Sequence, residues 1–350
     1  MSIIDQKRKN EHVALAQKFY HKTQPNDFDR ITLIHHSLPT VNLDQVSLQT
    51  SFAGLSFDAP FYINAMTGGS QRTKKINGDL SLIARETGLA MATGSVSSGL
   101  KNPDTVDSYQ IVREHHPNGI IFANLGAEHS VENGKKAVDL LKADALQIHL
   151  NAPQELVMPE GSKQFSTWLD SIQKMVKEVG VPVIVKEVGF GMSQETIAAL
   201  KSCGVTTIDV SGQGGTNFVE IENERRKLKE FHYLEDWGQS TVLSLLEASS
   251  YTTELDILAS GGIQTPVQVV KSLVLGAKSC GVAGYFLHYY LKEGIEATIE
   301  EIETWKEVIK MIMTLTSSQS VADLPKASFV LDSYLVNWCQ QRQLTAIPFC

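Results

Sequence analysis

Residues 183–210 read VIVKEVGFGMSQETIAALKSCGVTTIDV and hold one complete structural repeat. The run Val183–Lys186 is apolar on both faces until its closing lysine, as a strand covered on both sides is. Small residues follow, and Ser193 with Glu195 behind it opens an amphipathic stretch over Ser193–Ser202, a helix start by capping chemistry. Thr207–Val210 is then a second buried strand. Strand, helix and strand in this order form a βα unit of a parallel sheet.

The same unit recurs in both directions. Further strands are predicted at Phe61–Ala65, Leu89–Ala92, Ile120–Ala123, Ala145–His149, Ile257–Ser260 and Ser279–Ala283. Helices are predicted at Thr73–Thr87, Asp104–His115, Val131–Lys142, Ser166–Glu178, Ser240–Ser249 and Pro266–Leu275, the last opened by Thr265-Pro266. Eight strands alternating with helices favour a single closed (β/α)8 TIM barrel over a doubly wound sheet. The barrel is assigned to residues 61–294. An amino-terminal extension, 1–60, holds one short helix from about Glu11 to Tyr20 and then loop and strand fragments, and 295–350 reads as two helices packing outside, all in one domain. The longest interruption, Gly212–Gly238, sits on the rim where a barrel carries its chemistry, so it is expected to be a functional lid.

Composition narrows the class. The 350 residues are 42% hydrophobic and 20% charged, with 25 Gly and 11 Pro, which excludes collagenous, disordered and coiled-coil chains. A net charge of -8 and no basic stretch longer than Arg225-Arg226-Lys227 argue against a nucleic-acid partner. Apolar runs fall far short of the roughly 18 residues that span a bilayer, and the charged first twenty residues are no signal peptide. Cys203, Cys280, Cys339 and Cys350 are scattered without CxxC spacing, which suits idle thiols in a reducing cytoplasm.

In this fold the site is built after the strands. Strand seven ends Ser260-Gly261-Gly262 and strand eight ends Ala283-Gly284, where backbone N–H groups can approach an anion, and a helix near Thr265-Pro266 adds a positive end. With Thr216 on the strand-six rim, this is a phosphate seat. Thr67, Ser95 and Asn124 can line the edge of a flat heteroaromatic ring, with room beside Gly68-Gly69 and a cation from Lys186. A phosphate seat beside a flat polar slot suits FMN. His149 and Asn151 lie two apart in extended chain and share a face, and Gln154 and Glu155 follow a proline that turns the loop. One carboxylate beside amides suits an anion held with Mg²⁺, which takes one or two carboxylates and borrows phosphate oxygens. No spacing builds an all-protein metal cage. Arg8-Lys9, near a mobile amino terminus, can close over a polyphosphate; a solvated charge pair is the plainer reading by composition.

The chain resembles the type 2 isopentenyl-diphosphate isomerases over essentially its whole length. The matching runs are Arg8–His12, Asn64–Gly69, Gln147–Glu155, Val185–Gly191, Asp209–Phe218, Trp237–Thr241 and Ala259–Ile263. The resemblance implies conversion of isopentenyl diphosphate to dimethylallyl diphosphate on reduced FMN, with NADPH as reductant and Mg²⁺ on the diphosphate. It assigns FMN to Ala65, Met66, Thr67, Ser95, Asn124, Lys186, Ser211, Thr216, Gly261, Gly262, Ala283 and Gly284. Substrate falls to Arg8, Lys9, His149, Asn151 and Gln154, the metal to Glu155, and the chemistry to Gln154, Glu155 and His149. Members of this family are typically homo-oligomers, commonly tetramers. The chain departs from it in Val96–Gly99, where many members place an Arg, and in Gly284-Tyr285, where many place Arg-Pro. The competing readings are an FMN-dependent 2-hydroxy-acid oxidase or dehydrogenase, whose site needs a His base and an Arg pair, and a non-catalytic flavin- or phosphate-binding barrel.

Overall fold

The computed structural model describes residues 2–20 and 26–344. Eight parallel strands close into a barrel: β1 Phe61–Ile63, β2 Met91–Ala92, β3 Ile121–Gly126, β4 Ala145–Leu150, β5 Val183–Glu187, β6 Thr207–Asp209, β7 Asp256–Ser260 and β8 Ser279–Val282. Closure is made by β8 on β1, with Cys280 opposite Phe61 and Val282 opposite Ile63. Each predicted strand is present.

Because side chains alternate along a strand, each one divides between two cores. Phe61, Ile63, Ile121, Ala123, Leu146, Ile148, Val183, Val185 and Ile208 face the surrounding helices in one large buried cluster. Tyr62, Phe122, Ala145, Ile184 and Leu258 face inward. The amino-terminal end of the barrel is plugged by the hairpin Thr50–Phe52 and Leu55–Phe57, whose Phe52 and Phe57 rings stack 4.1 Å apart and meet Phe122 edge-on. Above that apolar floor the inward positions turn polar: Asn64, Asn124, Gln147, Lys186, Asp209 and Ser260, all buried.

The helices stop and start where their chemistry directs. Ser70 accepts from the Thr73 N–H to open Gln71–Thr87, and Gly88, at φ 65°, ends it. Outside the barrel, Ile31–Leu33 pairs antiparallel with Phe329–Leu331, joining the two flanking segments. The long helix Ile295–Leu315 buries Trp305 against Phe61 and Phe286. Cys203, Cys280 and Cys339 are buried free thiols, and Cys350 lies outside the described residues.

Several local expectations are corrected. The helix expected over Asp104–His115 starts only at Asp107, behind a turn at Pro103–Thr105 that extended Asn102 caps, and a further short helix, Ser97–Lys101, precedes that turn. Strand eight is followed by a helix, Gly284–Glu293, that the sequence reading lacked. The amino-terminal helix starts at Ser2, so Arg8 and Lys9 sit inside it rather than on a tail. Segment 212–238 is not bare loop, since it holds the helix Phe218–Arg225 and a turn at His232–Leu234. Gln154 and Glu155 also stand on a helix, Ala152–Val157, with Pro153 in its first turn where a missing N–H costs nothing.

Candidate active site

A cavity of about 630 Å³ opens at the carboxyl-terminal ends of the strands. Its wall includes Lys186, Ser211, Thr216, Gly261, Gly262, Ala283 and Gly284, seven of the residues assigned to FMN by sequence. The loops after β6 and β7 interlock here backbone to backbone. Gly261 and Gly262 have φ of 92° and 75°, and a Cβ on Gly262 would lie 2.5 Å from the Gly214 carbonyl carbon. Only glycine permits both that conformation and that approach.

The positive helix end differs from the one expected. Thr265 caps its own helix, Pro266–Val274, by accepting from the Gln268 N–H. The helix Gly284–Glu293 has no side-chain cap at Ala283, and both of those residues line the cavity. Uncapped N–H groups facing a cavity form an anion seat. The Tyr20 hydroxyl, buried without a hydrogen-bond partner, belongs to the same wall, and burial raises its pKa to about 12, so it stays a donor. The glycine cradle, the uncapped helix and this orphaned hydroxyl fit a phosphate group such as that of FMN.

The remaining five assigned residues lie outside this cavity wall. Ala65 donates its N–H to Asn64 Oδ1, and Met66 packs on the core. The Thr67 hydroxyl donates to Asn77 Oδ1 at 2.6 Å, so toward a ring edge it can only accept. Ser95 accepts from the Tyr109 hydroxyl through its carbonyl. Asn124 spends its amide on His149 and Gln147.

His149 stands opposite Lys186 across the β4–β5 pairing, which joins the cavity to a second group of polar residues. Burial, then the charges of Lys186 and Lys9, pulls its imidazole down to about 3, so it is neutral. Burial likewise lowers the Lys186 ammonium, opposed by Asp209 and Glu187, and its Nζ donates to the Glu187 carbonyl at 2.6 Å. Asn151 Nδ2 donates to Gln154 Oε1 at 3.3 Å and to Glu155 Oε1 at 3.0 Å, while the Ser162 N–H meets Glu155 Oε2 at 2.6 Å. Asn151 Oδ1 is a buried acceptor without a partner. Among the described residues no group of three or more His, Cys, Asp or Glu could hold a metal alone. Glu155, with lone pairs to spare on both oxygens, fits a Mg²⁺ that takes its other ligands from a phosphate and water.

The amino-terminal helix closes over this group through contacts the sequence reading missed. Glu222, fully buried, accepts from Gln154 Nε2 at 3.1 Å, lies 2.9 Å from His12 Nε2 and pairs with Arg225. Burial pushes the Glu222 carboxyl up, but His12, Arg225 and Gln154 outweigh it and leave it below its ordinary value. Arg225 also meets Glu11 at 3.3 Å and Glu160 at 3.0 Å, and Arg8 lies 3.7 Å from Glu160. The sequence clue was the spacing of Glu222 and Arg225, three apart and so on one helix face. It was hidden in a run that read as a charged lid. Asp209 was missed for the opposite reason: flanked by Ile208 and Val210, it read only as the end of a buried strand.

Comparisons with known proteins agree with this architecture. Residues 113–331 match the family described as FMN-dependent dehydrogenase. Isopentenyl-diphosphate delta-isomerase of Staphylococcus haemolyticus is 52% identical over 339 residues, covering 97% of each chain. That of Latilactobacillus sakei is 50% identical over 342 residues, covering 98% of each. Among solved structures, a flavocytochrome b2 mutant with pyruvate bound superposes with a TM-score of 0.68 at 21% identity, covering 93% of this chain and 84% of that one. A mandelate oxidase mutant with an FMN adduct gives 0.64 at 16%, covering 94% and 96%. The barrel is thus that of the flavoenzymes, and at half its residues identical over nearly its full length the chain belongs to the isopentenyl-diphosphate delta-isomerases, within the FMN-dependent dehydrogenase family.

Proposed function

We propose that the chain interconverts isopentenyl diphosphate and dimethylallyl diphosphate on FMN held in reduced form by NADPH, with Mg²⁺ on the substrate diphosphate. The observation that carries this reading is the pairing of two anion-ready regions across β4 and β5. One is the glycine-lined cavity with its uncapped helix; the other is the Asn151–Gln154–Glu155 cluster under a helix bearing Arg8 and Lys9. FMN phosphate takes the first and the substrate diphosphate the second, with Glu155 holding the metal.

Isomerisation adds a proton at one carbon of an unactivated alkene and removes one at another. When bound, the reduced flavin supplies a ring nitrogen able to give and take that proton. The residues of this chain supply position and electrostatics. Lys186 places a buried cation at the ring's end of the site. Glu222 orients the Gln154 amide by accepting from Nε2, leaving Oε1 to Asn151 and to the substrate side. Arg8, Lys9 and Glu155 with its metal fix the diphosphate, so the five-carbon chain enters in one geometry. The amino-terminal helix excludes water. Assembly into a homotetramer or higher homo-oligomer and residence in the cytoplasm complete the proposal.

The test is an anaerobic assay of the purified full chain with isopentenyl diphosphate, FMN, NADPH and Mg²⁺, followed by proton NMR. Appearance of dimethylallyl diphosphate, dependent on reductant, is the expected result. Full turnover on oxidised FMN without reductant defeats the mechanism, and net hydride transfer from a 2-hydroxy acid to an acceptor selects the oxidase reading instead.

A further inference from the structure

Five inward-facing residues form a hydrogen-bonded chain through the polar layer of the barrel, from β6 to β4. His149 Nδ1 lies 2.7 Å from Asn124 Oδ1, and Asn124 Nδ2 donates to Gln147 Oε1 at 3.1 Å. Gln147 Nε2 donates to Asn64 Oδ1, and Asn64 Nδ2 to Asp209 Oδ2, each at 3.3 Å. We propose that Asp209 is a positioning residue for His149: acting through the amides of Asn64, Gln147 and Asn124, it holds the imidazole in the tautomer with hydrogen on Nδ1, leaving Nε2 with a lone pair.

The direction of the chain is not a free choice. The Asp209 oxygens accept from the Ser260 hydroxyl, the Ser211 N–H and the Tyr62 hydroxyl, so Asn64 turns its NH2 toward Asp209. Its Oδ1 then accepts from the Ala65 N–H, 2.8 Å away, in keeping with that orientation. Gln147 must therefore present its NH2 to Asn64, which turns its carbonyl to Asn124. Asn124 must donate to that carbonyl, which turns its own oxygen to His149. The last acceptor requires a hydrogen on Nδ1. Reversing any one amide sets two donors or two acceptors face to face in a buried layer, at about 1–3 kcal/mol for each unmade bond. Asp209 is itself pinned: the Ser260 hydroxyl lies 2.8 and 2.9 Å from its two oxygens, the Ser211 N–H donates to Oδ1 at 3.2 Å, and the Tyr62 hydroxyl stands 3.4 Å from Oδ2.

An unconstrained neutral imidazole exchanges between two tautomers. Here Lys186 beside His149 disfavours the doubly protonated ring as well, so one form remains. A histidine at an anion-binding rim is ordinarily read as a donor to phosphate. With its hydrogen spent on Asn124, His149 offers Nε2 only as an acceptor, and the ligand atom that meets it must bring its own hydrogen. That consequence for substrate rests on the isomerase reading; the tautomer does not, and is a property of the unliganded protein.

The experiment is nitrogen NMR of the full chain labelled with ¹⁵N-histidine, without ligands, at about pH 6 and pH 8 on either side of the ordinary imidazole range. The His149 signals are assigned by their loss in His149→Gln. Hydrogen on Nδ1 alone at both pH values is expected. Asp209→Asn, which sets an NH2 against either the Ser211 N–H or the Asn64 NH2, is expected to populate the second tautomer to about a tenth or more. Gln147→Leu interrupts the chain while leaving Asp209 in place and is expected to do the same. Gln147→Glu still accepts from Asn124 and is expected to keep the wild-type signature. Wild-type protein with its hydrogen on Nε2 overturns the proposal, whatever the isomerase assay gives. So does a pure Nδ1–H form in Asp209→Asn or, should that variant not fold, in Gln147→Leu.

Discussion

Gln154 is gripped at both ends of its amide, by Glu222 at Nε2 and by Asn151 at Oε1. Shortening it by one methylene in Gln154→Asn moves the amide roughly 1 Å, away from both partners, and a misplacement of that size costs about 10²-fold in turnover. FMN affinity, set by the separate glycine cavity, is expected to stay within about twofold; equal loss of both, by steady-state kinetics and fluorescence titration, contradicts the placement. Glu187 makes a different prediction. Burial pushes its carboxyl up to about 7, although Oε2 accepts three N–H groups, from Val188, Gly189 and Phe190, at 2.7, 3.0 and 2.7 Å. The ordinary value is 4.5, so between about pH 4.5 and 7 the native state retains a proton that the unfolded chain has released. Stability therefore falls as pH rises through that window, by on the order of 2–3 kcal/mol. Urea midpoints are expected to show this fall for the wild type and a flatter line for Glu187→Gln. Parallel lines would assign the pH dependence to another group.

At the scale of elements, the helix Ser2–Lys18 and the helix Phe218–Arg225 depend on each other. Lys18 meets Glu224 at 2.9 Å, Glu11 meets Arg225, and His12 lies against Glu222. Exposed pairs such as Lys18–Glu224 contribute under about 1 kcal/mol. Arg225 is another matter, because Glu222 behind it has no exposure to water. Arg225→Met leaves that carboxylate short of its cation, a loss of about 3–5 kcal/mol by the usual cost of breaking a buried pair. Faster hydrogen exchange over residues 7–18 and a lowered melting temperature are expected, and unchanged exchange there would show that the helix is held by other contacts. Neither element was fully legible. The first was read as starting near Glu11 because residues 5–10 carry no apolar side chain to mark a face, and its helicity comes from docking rather than periodicity. The second lies in a segment read as an irregular lid with a charged run, although Val219, Ile221, Glu222 and Asn223 are buried.

Across the whole molecule, the barrel is closed below by aromatic rings and functions above. Phe52, 1% exposed, fills the floor from a hairpin outside the barrel sheet. Phe52→Ala opens a cavity beneath Tyr62 and Phe122 and is expected to cost about 3–5 kcal/mol in chemical denaturation. A loss under 1 kcal/mol would mean that the floor collapses to fill the void. The plug also explains why polar residues can stand higher in the barrel: water is shut out from below, so Asn64, Gln147 and Asn124 must satisfy one another.

The sequence by itself determined the eight strands, their order and the rim that bears the chemistry, because parallel strands covered by helices must be apolar on both faces and that pattern is local. It also marked the glycines after β6, β7 and β8, since a positive φ or a close backbone approach leaves a residue type as its trace. Only the tertiary structure decided that the uncapped helix follows β8 rather than β7, that Thr67 donates its hydroxyl to Asn77, and that Glu222 reaches Gln154 across 68 positions of chain. Those outcomes depend on which buried polar groups find partners once the barrel closes. That is a property of distances between remote segments, and no local pattern encodes it.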